Sequence, residues 1–526
     1  MSENNLEGRG FRMASSFVIR KNQYYDSVFL MSVNRRISEV KGVQQTAVLM
    51  GSPTNKQLLL DIGFQDNQIE AARPNDLIVA VIAETSAIVE NVLGRLDEWL
   101  EAIQENTPSL SIKTLEEGLS QKPNANLAVI SVPGEYAARE AKKALEAGLN
   151  VFLFSANVSI ADELELKQFA AKRGLLVMGP DCGTSLIGGV GIGFANTVRR
   201  GPIGAIGAAG TGLQEFTSQV HNAGSGISQA IGTGSHDLSD KIAGLTTLAA
   251  LEALEADQQT GVIAIISKPP DASTLAALLE RVKSCRKPVV GCFLGVDPRQ
   301  LTGKPNLQPA RTIDDAARMA IACSNGQAAL PVEGLTRVEL ATIRKEKKAW
   351  SPEQKYLRGI LAGGTFCYQS QQILRNAGYK IYSNSPFDQK YVLVDPDHSY
   401  EHTIVDMGDN FYTIGKPHPM IDGTLRRRRI LTESRDPQVA VLYLDFILGY
   451  NASMDPVGEL VDAILEAKRI SGQRGGALTF VASVCGTEAD PQDLNLQVKM
   501  LQEAGTLVFR SNAIASAACC ELLGKG

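Results

Sequence analysis

Short apolar runs recur along this chain, and most of them close on Gly, Ser or Pro. Residues 46–52 (TAVLMGS), 76–84 (DLIVAVIAE), 126–133 (NLAVISVP), 150–156 (NVFLFSA), 175–180 (LLVMGP), 261–268 (GVIAIISK), 288–295 (PVVGCFLG), 359–364 (GILAGG), 439–449 (VAVLYLDFILG) and 477–486 (ALTFVASVCG) all have this form. Unbroken apolar runs of this length fit strands buried on both faces, as in parallel sheets. Between them lie amphipathic stretches rich in Ala, Leu and charge that stop at Gly, such as residues 135–148 (EYAAREAKKALEAG). Strand and helix patterns alternating in this way predict an α/β protein with several doubly wound parallel-sheet domains. The boundaries predicted are a flexible tail at 1–11, an N-terminal α/β unit at 12–118, further α/β units at 119–199 and 200–335, a charged linker at 336–355, and a last unit at 356–526.

One device occurs twice. Residues 208–224 read AAGTGLQEFTSQVHNAG and residues 362–378 read AGGTFCYQSQQILRNAG, each placing Gly-Thr eleven positions ahead of Asn-Ala-Gly. Each copy follows an apolar strand and opens a helix. A helix start carries unpaired amides and a partial positive charge, and glycine lets an anion reach them. Ala209, Gly210, Thr211 and Gly212 form one candidate phosphate cradle, and Gly363, Gly364 and Thr365 the other.

Composition narrows the chemistry. The net charge of −5 gives no global pull toward nucleic acid or acidic membranes, and no run of apolar residues is long enough to span a bilayer. The N-terminus lacks a signal-peptide core, and the eight cysteines form no CxxC pair, so a cytoplasmic protein without a metal site is expected. Only five histidines are present. His418, between Pro417 and Pro419, is a candidate general acid, with Asp406 or Asp422 to orient it and Lys416 to meet a substrate carboxylate. Cys485, Gly486 and Thr487 end another strand and make a possible third anion turn. Arg426 to Arg429 read as a solvated face or partner contact, and Cys367 as packing.

Residues 127–183 and 201–216 resemble the α subunit of succinyl-CoA synthetase. Gly179, Pro180 and Cys182 match that family's Gly-Pro-Asn-Cys turn, with Asp181 in place of Asn. Gly210, Thr211 and Glu215 stand where the family has a phosphate-binding helix start followed by a glutamate. Residues 229–237 (QAIGTGSHD) resemble its next glycine-rich loop, which adds Gly234, Ser235 and His236, and GGTFC (363–367) resembles the matching helix start of the β subunit. The resemblance implies a CoA-binding Rossmann-like domain and two flavodoxin-type domains, with α-like and β-like parts fused. Over residues 16–522 the chain is more similar still to FdrA-type proteins, in phrases such as IVDMGDNFYTIGKPHPMID (404–422) and FVASVCGTEADPQD (480–493).

Two departures from the ligases shape the functional expectation. Their phosphate-carrying histidine follows an apolar strand in a Gly-His-Ala-Gly stretch, whereas residues 287–295 (KPVVGCFLG) run on without one. Their glycine-rich CoA loop has its nearest counterpart in residues 50–58 (MGSPTNKQL), which lacks GxGxxG spacing, although Lys56 and Ser52 could meet a phosphate. The resemblance, less that histidine, therefore implies a subunit of oxamate carbamoyltransferase, converting oxalurate and phosphate to oxamate and carbamoyl phosphate. The expected catalytic residues are His418, Glu215 and His236. No cofactor is required, phosphate is a substrate and CoA is doubtful. Expected partners are small carbamoyl or oxamate substrates and other subunits of an oligomeric complex. The alternatives are an acyl-CoA synthetase subunit and a non-catalytic scaffold.

Overall fold

The computed structural model describes residues 13–524, apart from 24, 26, 39, 105–111, 328–333 and 414–415, so the expected tail at 1–11 lies outside the described residues. The chain divides into two units, residues 1–118 and 119–526.

The first unit departs from the parallel pattern. Its strands β1 (Ala14–Arg20), β2 (Val43–Met50) and β3 (Leu77–Ala83) form an antiparallel sheet in the order β1-β3-β2. β3 is central and nearly all buried, which explains its unbroken apolar run. β1 is half-buried along its length and carries Ser15 and Ser16, so it offers no such run. Ser52 and Lys56 serve this unit locally. The Ser52 hydroxyl caps the following helix through the Asn55 amide, and Lys56 Nζ donates to the Glu70 carbonyl.

In the second unit, β4 (Leu127–Ile130), β5 (Asn150–Leu153) and β6 (Val177–Met178) make a small parallel sheet. Next come a hairpin, β7 (Thr184–Ile187) and β8 (Val190–Gly193), and the strands β9 (Arg200–Gly207), β10 (Ile227–Gly232), β11 (Val262–Ser267), β12 (Val289–Phe293) and β13 (Leu307–Pro309). They form one sheet in the order β13-β12-β11-β9-β10-β7-β8. Strands β14 (Tyr356–Leu361), β15 (Thr403–Asp406), β16 (Val439–Ile447), β17 (Thr479–Cys485) and β18 (Leu507–Phe509) form another, in the order β15-β14-β16-β17-β18. Apart from the hairpin, the two sheets share one winding. The first strand sits inside, the second on one side of it and the third on the other. Apolar clusters cover both faces of each sheet, as the continuous apolar runs require. Within the expected linker, Thr336 and Glu339 form a capping box that starts a helix at Arg337–Lys347.

Candidate functional site

Each duplicated stretch builds a helix of 13 residues, Gly210–Asn222 after β9 and Gly364–Asn376 after β14. Neither start is capped by its own N-cap side chain, Ala209 or Gly363. The two starts meet. A methyl placed on Gly212 would stand 3.0 Å from Thr365 Cγ2, and one on Gly363 would stand 3.1 Å from Thr211 Oγ1. Each threonine thus meets a glycine of the other copy, although the two glycines are not equivalent, Gly363 matching Ala209 and Gly212 matching Phe366. A symmetric pair lies one turn deeper. Glu215 Oε1 accepts from the Asn512 amide at 3.1 Å, and Gln369 Oε1 accepts from the Ile313 amide at 3.0 Å. Glu215 and Gln369 occupy equivalent positions in the duplicated stretches.

The crevice lies where an open α/β sheet binds ligands, at the strand ends beside a reversal of strand order. The chain leaves β9 on one side for β10 and returns on the other for β11. Asp181, Cys182, Gly183, Thr184, Ser235 and the 207–210 turn line a pocket there. Among the described residues the amides of Gly210, Thr211 and Gly212 have no acceptor within the chain. Thr184 is 95% buried, its hydroxyl has no partner, and it stands 3.5 Å from where a Gly210 side chain would begin. A buried hydroxyl without a partner costs stability unless a ligand completes it.

The second cradle is partly filled. Asp445 accepts from the amides of Ala362 and Gly363, both at 2.8 Å, and is neutralised by Arg426 at 3.0 Å. Arg426 and Arg429 are therefore buried ion-pair partners, of Asp445 and Glu433, rather than a solvated face. Asp406, ending β15, lies over the same helix start, with Oδ2 2.6 Å from a methyl on Gly364. Burial pushes its carboxyl up to about 6, against the pull of Lys268. Lys268 follows β11 and stands 5.8 Å over the Tyr368 ring of the Gly364–Asn376 helix. Sequence reasoning missed it; its only signal is its place immediately after a buried strand at the switch point.

The other predicted residues divide. His236 Nδ1 faces Glu163 at 3.4 Å, which raises its pKa, and the ring belongs to the loop carrying Gly234 and Ser235. His418 Nδ1 accepts from the Met420 amide at 3.2 Å, and its ring lies 5.8 Å from that of Phe194. Burial holds its pKa down at about 4, so it is neutral at pH 7. Its Nε2 and Asp406 Oδ1 both close on Gly408. Lys416 is half-buried in the turn before it. Glu215 is buried and pushed up to about 8 by that burial, with Asp314 adding to it; its hydrogen bonds hold the interface between the two halves. Cys485, Gly486 and Thr487 do not reach the cradles. Gly486 binds Asn222, at the far end of the helix, about 18 Å from its start by helical rise. Cys367 is buried packing, with its thiol pushed far up by burial.

Three family models match the chain: an AllF heavy metal-associated domain over residues 13–114, a CoA binding domain over 198–295, and a CoA-ligase domain over 360–521. The protein YahF of Escherichia coli K12 is 42% identical over 518 residues, 98% of this chain and 99% of that protein. The chain belongs to the YahF family. It is also 27% identical over 183 residues to the succinate–CoA ligase [ADP-forming] α subunit of Methanothermobacter thermautotrophicus, a match covering 34% of this chain and 60% of that subunit. Among solved structures, a dinucleotide-forming acetyl-coenzyme A synthetase 1 of Ca. Korarchaeum cryptofilum in complex with phosphate and ADP is 18% identical, covering 76% of this chain and 82% of that one at a TM-score of 0.28. The YahF-family chain thus shares superfamily-level homology with the succinyl-CoA synthetase and acyl-CoA synthetase group.

These matches correct three expectations. The CoA-ligase and CoA-binding models, with the succinate–CoA ligase relatives, point to ligase chemistry and overturn both carbamoyl transfer and the transferase class. CoA is not a doubtful ligand, because a CoA-binding model covers residues 198–295. The doubt arose from residues 50–58, which belong to a different unit, the antiparallel one. That unit does not fit the metal in its model's name. Residues 13–114 contain no Cys and no His, and no metal cluster occurs among the described residues. No described helix is long and apolar enough to cross a membrane.

Proposed function

We propose that this chain is an FdrA-type subunit of an acyl-CoA synthetase, and that its paired helix starts carry the exchange of acyl-CoA and phosphate for acyl phosphate and CoA. The close approach of the two starts is the observation that carries this reading. In the exchange a phosphate oxygen bonds to the thioester carbonyl carbon, the carbon–sulfur bond breaks, and the sulfur takes a proton. The amides of Gly210, Thr211 and Gly212 and the orphan hydroxyl of Thr184 suit the phosphate. Thr211 and Thr365 supply further hydroxyls. A phosphate-bearing ligand therefore fits the residues present, and CoA enters as the leaving group of its thioester. No histidine stands in the stretch directly after β12, residues 294–320, where the ligases carry theirs, so a second subunit is assigned the nucleotide step. The relatives named as ligase α subunits support such a heteromeric partnership.

The test is release of CoA from a panel of acyl-CoA thioesters by the purified chain, followed chromatographically with and without arsenate, which replaces phosphate and makes the release irreversible. Arsenate-dependent release from at least one thioester is expected. No release from any thioester, with or without the partner subunits, refutes the reading.

A further inference from the structure

Phosphate entering this exchange as its monoprotonated dianion must lose a proton, and the departing thiolate must gain one. Neither Gly210 nor Gly364 brings a group that can carry it. Asp406 is in position. It is 93% buried, and its Oδ1 accepts from the Gly408 amide at 2.9 Å. Its Oδ2 has no donor among the described residues and faces the Gly364 helix start. Across the crevice, Lys268 has no carboxylate within ion-pair distance among the described residues. Its ammonium lies over Tyr368, and its charge acts on both Asp181 and Asp406.

We propose that Asp406 is the acid–base group of this site and that Lys268 is the cation holding phosphate against it. The inference rests on the acyl-CoA and phosphate reading above. As a phosphate oxygen bonds to the carbonyl carbon, its O–H proton passes to Asp406 Oδ2. When the carbon–sulfur bond breaks, Asp406 returns that proton to the sulfur. Atoms and charge balance without a metal or a redox partner. The surroundings fit this role. Asp445 is neutralised by Arg426, Asp409 is engaged by the Phe411 amide, His418 is neutral, and the Cys367 thiol stays protonated. Lys268 is then the cation that sets the balance. A carboxyl poised near 6 can both take and return a proton near neutral pH.

The test uses the full chain and arsenate-dependent CoA release over pH 5 to 9, with Asp406→Asn and Lys268→Gln beside wild type. Wild type should show a rate rising with pH through a midpoint near 6. Asp406→Asn should lose about 100-fold or more and lose that limb, general acid–base catalysis being worth about 10²–10⁴. Lys268→Gln should raise the KM for arsenate about 10-fold and move the limb to higher pH, because the cation that holds the Asp406 pKa down is gone. A role confined to packing would not move the midpoint. Lys268 is only half-buried, so its variant keeps the test alive if Asp406→Asn does not fold. Arsenate-dependent release that keeps its rate and pH profile in both variants overturns the assignment and leaves the exchange standing. No release by wild type sinks the exchange, and the assignment with it.

Discussion

Gly210→Ala separates a glycine kept for a ligand from one kept for the fold. The added methyl would meet nothing closer than Thr184 Oγ1 at 3.5 Å, an ordinary contact, and Gly210 has no positive φ. Alanine is a better helix residue than glycine and has less freedom to lose from the unfolded chain, an advantage of about 0.4–1 kcal/mol. The variant should therefore melt at the same temperature as wild type or slightly above it. Its methyl, however, stands in the mouth of the pocket, where a phosphate oxygen would approach the first amides at about 3 Å. Losing that approach should cost at least about 1.4 kcal/mol of phosphate binding, a tenfold weakening. Gly212→Ala and Gly364→Ala are the controls for the fold. Their methyls would stand 3.0 Å from Thr365 Cγ2 and 2.6 Å from Asp406 Oδ2, so both should melt lower. The assays are a thermal melt and a phosphate titration followed by phosphorus NMR. Wild-type phosphate affinity in a stable Gly210→Ala protein would refute the claim that these amides hold the anion.

Two further outcomes follow from buried charge. Glu215 is an acid whose folded pKa, about 8, lies above its unfolded value, so its contribution is fully present below about 4.5 and is lost as pH rises toward 8. Glu215→Gln keeps the acceptor for the Asn512 amide and should stabilise the chain by on the order of 1–3 kcal/mol at pH 7.5 and by almost nothing at pH 4.5, read by urea unfolding at both pH values; an equal gain at both would exclude the protonation argument. Arg426→Met leaves Asp445 buried and unpaired and should cost about 3–5 kcal/mol in the same assay, a loss that Asp445→Asn in the same chain should partly restore.

Much of the fold was legible because buried parallel strands advertise themselves as unbroken apolar runs. Eight of the ten quoted runs contain a whole strand, and the other two, 46–52 and 359–364, overlap the ends of β2 and β14. The strands without such a signal are short or interrupted by polar residues and glycine. β10 (ISQAIG) contains Ser228 and Gln229, and β15 (TIVD) ends in the aspartate that turns to the crevice. The antiparallel order of the first unit was not legible, because an apolar run does not state the direction of its neighbours. At the site, both helix starts were legible from Gly-Thr after an apolar strand. Their occupants were not. Asp445 lies 82 residues after Gly363, and nothing in the sequence between them indicates that it fills the second cradle. Cys485 to Thr487 looked like an anion turn because glycine follows a strand, yet Cys485 packs against Ser218 in mid-helix, Gly486 binds Asn222 at the far end and Thr487 binds the Thr197 carbonyl.

The duplication explains both the symmetry of this site and its limits. Two flavodoxin-type units of the same winding bring their first helices together start to start. Each threonine meets a glycine of the other copy at the mouth, and reciprocal amide acceptors form a turn deeper. A strictly symmetric crevice would offer two equal anion sites, but the halves differ where chemistry would need them to. The first keeps its amides open beside an orphan threonine hydroxyl and supplies Lys268. The second occupies two amides with Asp445 and supplies Asp406 instead. Positive charge therefore comes from one half and a titratable acid from the other. The same asymmetry appears in the interface as Glu215 opposite Gln369, where one copy carries a proton and the other an amide in equivalent hydrogen bonds. A fused chain can hold such a difference permanently, because each copy is free to change without its twin.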